Sequence, residues 1–273
     1  MTPDSVKRLS YSKYLLRRGK SLQQAGNELS SAEAVLAAHD SAEMLMRVIT
    51  DYLGASPPEK FMDFWKVVKD KTSSEPPHKG AMDRLNSLRV GFKHKGNLPN
   101  SGVVADLMPS VAGFCAECTE QYLGVDYETV SLSDLVLNEE ARDKVKEAER
   151  AKAEGNLPDA LLALGITFDK LHDEAREKHK LGLIRRPRPS RFESDRAWIR
   201  PVQQLVDTVN MLVLGIDPVR LRRFSASTPI RNYASSGAIE LIWPADPGTL
   251  VAEDYDFCYQ FVIDFALRLA SPT

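Results

Sequence analysis

The residues of this sequence best suited to chemistry lie in the segment LNSLRVGFKHKGN, residues 85–97. Arg89 and His94 are five positions apart, and Lys93 and Lys95 flank the histidine. Imidazole near neutral pH can accept a proton from a hydroxyl group and return one to a leaving oxygen, and a guanidinium can hold phosphate oxygens through paired donors. Together these groups would suffice for RNA cleavage without a metal ion, in which the ribose 2'-hydroxyl attacks the neighbouring phosphorus.

The chain around these residues has the pattern of a helix that ends shortly after His94. Apolar residues recur at helical spacing from about Ala81, and the segment that follows the histidine, GNLPNSG, has the composition of a loop. Five residues of an ideal helix turn through about 500°, which leaves Arg89 and His94 about 140° apart. Either the helix unwinds near Gly91 and Gly96, or two copies of the chain combine their side chains at a two-fold interface.

Four more helices are predicted in the N-terminal half of the chain. The clearest is at residues 30–53, where apolar residues recur at three- and four-residue spacing. The others are predicted at residues 5–25, after the Pro57-Pro58 pair and at residues 103–123. Because short polar loops join these five helices, we expect an up-and-down helical bundle over residues 1–127.

A second helical domain is predicted over residues 128–273, so that the whole chain belongs to the all-α class. Its helices are expected at about residues 132–153, 157–180, 198–215 and 251–270, with a single short strand-like segment at 235–243. The segment AEGNLPDALLAL has the small-residue spacing of a tetratricopeptide helix hairpin, but the sequence shows no second copy at a 34-residue period. This domain is a candidate for binding a protein partner.

Residues 1–125 resemble the HEPN domain, a helical bundle whose ribonuclease members carry an arginine followed by a histidine after four to six residues. The match is Arg89-Val90-Gly91-Phe92-Lys93-His94. The resemblance extends to AAHDSAEMLMRVI at residues 37–49, which looks like the amphipathic helix of the family with its acidic residue, here Glu43. It covers less than half of the chain.

The resemblance implies a homodimer, formed through the N-terminal bundle, with a composite endoribonuclease site that needs no metal ion or other cofactor. Arg89 and His94 would be catalytic, and Glu43 would support them. Such proteins are found in phage-defence, toxin and RNA-processing systems. The position after the arginine is often Asn, Asp or His in active members and is Val90 here. The alternative is therefore a non-catalytic helical adaptor that binds protein or RNA, with Arg89 and His94 as a surface pair at a helix end.

An arginine-rich segment with two prolines, LGLIRRPRPSRFESDR, is predicted to be an extended basic loop. Its arginines are Arg185, Arg186, Arg188, Arg191 and Arg196. Several guanidiniums on an extended chain could contact the phosphates of RNA, as could Lys93 and Lys95. The segment could equally be a solvated linker or dock a partner. A third hypothesis, an RNA- or nucleotide-binding sensor, also depends on it.

Composition excludes several other classes of protein. The formal net charge of -2 argues against a nucleic-acid binder with a globally basic surface. Because the chain has no apolar run long enough to cross a membrane and its N-terminus is charged, we expect a cytoplasmic protein. Cys115 and Cys118 have the spacing of half a zinc site, but no second pair exists, so we expect packing thiols and no metal.

Overall fold

The structure, a computed structural model, describes residues 1–179, 205, 209–233, 239–244 and 246–270. Within these residues the regular secondary structure is helical except for one two-stranded hairpin. The predicted all-α class is therefore confirmed. The chain divides into two compact units, Met1–Asp134 and Leu135–Thr273.

The first unit contains five α-helices. They are α1 (Pro3–Gln24), α2 (Glu28–Tyr52), α3 (Phe64–Thr72), α4 (Lys79–Lys95) and α5 (Ser101–Leu123), with 3₁₀ turns at Phe61–Asp63 and Tyr127–Thr129. A further 3₁₀ turn, Ser133–Leu135, includes the last two residues of this unit. Local sequence fixes several of the ends. The side chains of Asn27 and Asn100 accept hydrogen bonds from the first backbone N–H groups of α2 and α5. Gly96 and Gly124, with φ of 69° and 66°, end α4 and α5.

An aromatic cluster fixes the position at which α4 begins. Trp65 of α3 and Phe114 of α5 are fully buried and stack with their ring centroids 5.5 Å apart. The indole Nε1 of Trp65 donates a hydrogen bond of 2.9 Å to the carbonyl oxygen of Pro76, just before α4. This bond satisfies the polar group of the buried ring, so the cluster holds the start of α4 against α3 and α5.

Small residues bring α1 and α2 close together. An alanine Cβ at Gly19 would lie only 3.3 Å from the carbonyl oxygen of Ala34, so the two backbones are near contact there. Further along the helix pair, the hydroxyl of Ser12 donates to the carbonyl of Ser41 at 2.9 Å, and the hydroxyl of Ser41 donates to the carbonyl of Ser12 at 2.8 Å. These reciprocal bonds fix the register of α1 on α2.

The boundary between the units falls later in the chain than the predicted boundary after residue 127. Tyr127 and Val130 belong to the hydrophobic core of the first unit. The ammonium group of Lys13 donates to the carbonyl oxygens of Glu128 and Val130, at 2.6 and 2.9 Å. Residues 128–134 were predicted to be a connector at the start of the second domain, but the structure groups them with the first unit.

The second unit combines helices with a short hairpin. It contains α6 (Glu139–Ala153), α7 (Leu157–Lys178), α8 (Pro218–Ser227) and α9 (Ala252–Ala270), with β1 (Ile230–Tyr233) antiparallel to β2 (Ile239–Ile242) and a 3₁₀ turn at Pro247–Thr249. Two of these elements, α8 and β1, were not predicted. The strand β2 lies inside the predicted segment at 235–243, and its partner β1 makes a second strand where the sequence indicated at most one.

Aromatic side chains form the centre of the second unit. Phe168 of α7 lies 5.1 Å from Phe224 of α8 between ring centroids, and Phe224 lies 4.7 Å from Phe261 of α9. All three are buried. This cluster joins α7, α8 and α9, which are separated by long stretches of sequence. Among the described residues, no helix has the length and apolar character needed to cross a membrane.

Candidate functional site

The helix that carries Arg89 and His94 is regular through both residues. It ends only at Gly96, whose N–H bonds to the carbonyl of Phe92 at 3.0 Å, while the next N–H bonds to the carbonyl of Gly91 at 3.2 Å. The unwinding suggested by the two glycines is therefore absent, because both serve an ordinary helix end. On a continuous helix the side chains of Arg89 and His94 leave the axis about 140° apart. One copy of the chain does not aim them at one point.

Arg89 is half-buried beside the inward face of α4, which is formed by Met82 and Leu85. Its Nε atom is buried and has no hydrogen-bond partner among the described residues. No acidic side chain in the described part of the protein forms an ion pair with its guanidinium group. No described residue therefore balances the charge of this guanidinium.

His94 lies on the outer face of α4 and is exposed, as are Lys93 and Lys95. The three residues form the last turn of the helix, where basic side chains interact favourably with the helix dipole. No carboxylate pairs with any of them in the described residues. The end of α4 is therefore a locally cationic surface, although the whole chain carries a small net negative charge.

Glu43 contacts residues of its own helix. Its Oε1 accepts hydrogen bonds from Nη2 and Nε of Arg47 at 2.8 and 3.2 Å. Its Oε2 lies 3.8 Å from Nδ1 of His39. The structure does not bring Glu43 into polar contact with Arg89 or His94, so any support that it gives to them passes through these neighbours.

A buried contact between α2 and α4 was missed by sequence reasoning. His39 is 1% exposed, and its Nε2 donates a hydrogen bond of 3.2 Å to Oδ1 of Asn86, three residues before Arg89. The signal that could have identified it is helical spacing. His39 lies four residues after Val35 and seven before Met46, which are both fully buried on α2.

The cysteines of the first unit are packing residues, as expected. Cys115 and Cys118 are fully buried in the core. Burial raises the pKa of the Cys115 thiol to about 12 and raises that of Cys118 further, so both stay neutral near pH 7. Within the described residues, no three His, Cys, Asp or Glu side chains converge on a point where a metal ion could bind.

The second unit has a small pocket beside a partly buried ion pair. The pocket has a volume of about 230 Å³ and lies between α7, α8 and β1. Its lining residues include Phe168, Phe224, Asp169 and Arg231. The guanidinium of Arg231 donates to both carboxylate oxygens of Asp169, at 2.7 and 2.9 Å, and to the carbonyl of Pro229. The arginine is thus occupied by structural partners.

The predicted RNA-contacting arginines at positions 185, 186, 188 and 191 lie outside the described residues.

Comparison of the chain with protein-family models, with curated proteins and with solved structures gave no significant match.

Proposed function

We propose that this protein is a metal-independent endoribonuclease with a HEPN-like N-terminal bundle. The observation that supports the proposal is the guanidinium of Arg89, for which the described part of the chain supplies no ionic partner and which precedes an exposed histidine at the cationic end of α4. Lys93 and Lys95 would attract the RNA backbone without reading its sequence. The substrate is single-stranded RNA, whose flexible backbone can bring a 2'-hydroxyl into line with the neighbouring phosphorus.

The reaction requires proton transfer and stabilisation of charge. The ribose 2'-oxygen forms a bond to phosphorus as the bond to the 5'-oxygen of the next nucleotide breaks. His94 takes the proton from the 2'-hydroxyl and returns it to the leaving 5'-oxygen. Arg89 holds the non-bridging phosphoryl oxygens, where negative charge increases in the transition state. The products are a 2',3'-cyclic phosphate and a 5'-hydroxyl end.

A complete site needs two copies of the chain, because one regular helix separates Arg89 from His94 by about 140°. The outer face of α4 suits a close helix crossing. Gly80 and Gly91 have open space where a Cβ would be, and Val90 is 37% exposed. We propose that a two-fold dimer in contact with the C-terminal end of α4 brings Arg89 of one protomer beside the partner's His94.

The test is incubation of the purified protein with single-stranded RNA in EDTA, followed by analysis of the product ends. We expect cyclic phosphate ends from the wild type and a loss of about 10³-fold or more in His94→Ala, since proton transfer contributes about 10²–10⁴-fold. Lys79→Ala, at the other end of α4, is the matched control. Cleavage that survives in His94→Ala would exclude this site.

A mixing experiment tests the composite site. Arg89→Ala and His94→Ala are each expected to be inactive alone. Heterodimers formed by unfolding and refolding the two together would contain one intact Arg89–His94 pair out of two. At equal amounts we expect recovery of about a quarter of wild-type activity. No recovery, with heterodimers present by mass spectrometry, would contradict a site shared between protomers.

The second candidate is a non-catalytic helical adaptor. The observation that favours it is the α6–α7 hairpin, which packs through small side chains such as Ala141, Ala148 and Ala160 and turns at Gly155 with φ of 78°. Helix pairs of this kind often present a groove to another protein. An adaptor would be tolerated at high expression and leave total RNA intact. A nuclease that is held inactive in the cell would give the same result. The RNA-cleavage assay with purified protein therefore distinguishes the two functions.

A further inference from the structure

His39 lies in the middle of α2 and is enclosed by the first unit. Its side chain is 1% exposed, and its ring packs on Phe61 with a centroid distance of 4.4 Å. The Nε2 atom donates to Oδ1 of Asn86 on α4 at 3.2 Å. This is the one polar side-chain contact between α2 and α4 that the described residues show.

No described residue forms a hydrogen bond with the other ring nitrogen, Nδ1. Nδ1 is buried, and the nearest acidic oxygens, on Asp40 and Glu43, are each 3.8 Å away. Glu43 is itself held by Arg47 through an ion pair of 2.8 Å. The imidazole is thus fixed by aromatic packing and by a single directed bond, and that bond goes to α4.

The bond matters because of where Asn86 lies. Met82 and Leu85 anchor α4 in the core through apolar contacts, which have no preferred direction and tolerate small rotations of a helix. A hydrogen bond between two placed groups weakens steeply when its distance or angle changes. Asn86 precedes Arg89 by one turn and His94 by about two turns, so a rotation of α4 at Asn86 would move both.

We infer that His39 is a positioning residue that fixes the rotation of α4 through Asn86 and thereby sets the directions of Arg89 and His94. It does not transfer protons in the reaction. The role in cleavage depends on the proposed ribonuclease function, whereas the effect on α4 does not. A shift of about 1 Å in a catalytic group can cost about 10²-fold in rate.

Two pairs of variants separate positioning from other roles. Asn86→Leu removes the acceptor with little change in volume, and Asn86→Asp keeps an oxygen in the same place. His39→Leu removes the donor, and His39→Gln keeps an N–H near the position of Nε2. Thr50→Val is the matched control, because Thr50 is fully buried on α2 and its hydroxyl donates within α2, to the carbonyls of Met46 and Arg47, at 2.9 and 3.0 Å.

If the inference is correct, kcat falls about 10²-fold in both leucine variants and stays within about threefold of the wild type in His39→Gln, Asn86→Asp and Thr50→Val. The pH profile of kcat in His39→Gln matches that of the wild type. The inference is overturned if the leucine variants cleave RNA as well as Thr50→Val does. It is also overturned if His39→Gln is as inactive as His39→Leu, which would indicate that the imidazole itself takes part.

Amide hydrogen exchange across residues 86–95 distinguishes failure of this inference from failure of the ribonuclease function. If the wild type leaves RNA intact, the proposed function fails. The exchange rates still test whether His39 positions α4. Positioning of α4 by His39 is supported if these amides exchange at least about tenfold faster in Asn86→Leu than in Thr50→Val. In Asn86→Asp, which keeps the acceptor, the exchange rate should return to that of Thr50→Val. Equal exchange in the leucine variant and the control contradicts it.

Discussion

Gly165 of α7 is a position where alanine, normally the better helix former, should destabilise the second unit. An alanine Cβ there would lie 2.7 Å from Cζ of Arg231 and closer still to Nη1, so the guanidinium would have to move. Movement breaks the bonds from Arg231 to the two oxygens of Asp169, at 2.7 and 2.9 Å, and the bond to the carbonyl of Pro229. The ion pair joins β1 to α7.

The magnitude follows from two opposing contributions. Hydrogen bonds to charged groups contribute about 1.5–3 kcal/mol each. Because Asp169 is 29% exposed and can regain water, we take a loss of about 3 kcal/mol for the whole set. Alanine in place of glycine inside a helix returns about 1 kcal/mol. We therefore expect Gly165→Ala to lower local stability by about 2 kcal/mol.

The assay is native-state hydrogen exchange of peptides from α7 and β1, in the wild-type chain and in an Arg231→Ala chain. Arg231→Ala removes the three atoms that lie nearest to a Cβ at position 165, all of which belong to the guanidinium group. Gly165→Ala should then stabilise α7 by about 1 kcal/mol, so the sign of its effect reverses between the two backgrounds. If Gly165→Ala stabilises the wild-type chain, or has the same effect in both, the close contact with Arg231 does not control this position.

Three further changes test the first unit. Burial raises the pKa of Cys115 from 9.0 to about 12. Because only the unfolded chain ionises this thiol between these two values, the free energy of unfolding is unaffected by it below pH 9 and falls as the pH rises toward 12. Cys115→Ala should reduce the fall in urea midpoint between about pH 7.5 and pH 10. Gly19→Val adds methyl groups where a Cβ is already 3.3 Å from the carbonyl of Ala34, and should cost about 2–3 kcal/mol in thermal unfolding. Lys13→Met removes bonds of 2.6 and 2.9 Å to carbonyls within residues 128–130, and should cost about 2–3 kcal/mol and speed amide exchange there.

Each of these predictions has its own contradicting result. The first fails if Cys115→Ala and the wild type lose equal stability at alkaline pH. An unchanged melting temperature in Gly19→Val would show that α1 and α2 can separate at no cost. Unchanged exchange at residues 128–130 in Lys13→Met would mean that core contacts alone hold this segment.

The helices of the first unit could be predicted because their signals are local. Apolar spacing identified α2, and the glycine that follows α4 ends that helix near the predicted residue. The helix α8 also had a local signal that was not used. Asp217 caps it and Pro218 is its first residue, a pairing that favours a helix start.

The contacts of the candidate site could not be predicted from local patterns. From the sequence, Arg89 and His94 could be identified with their angular separation on a helix, since the helix repeat fixes that angle. Glu43 was predicted to support them, but its polar contacts are with Arg47 and His39 on its own helix. Which side chain of α2 reaches α4 depends on how two helices pack, and no local pattern encodes that.

By itself, the sequence determined the all-α class, most of the helices and the cationic end of α4, because composition and periodicity act within a few residues of one another. The tertiary structure decided the contact between His39 and Asn86, the place where the first unit ends and the ion pair of Arg231 with Asp169. Such contacts join residues far apart in the chain. They exist only after the core has formed, since only packing brings the partners within hydrogen-bond distance.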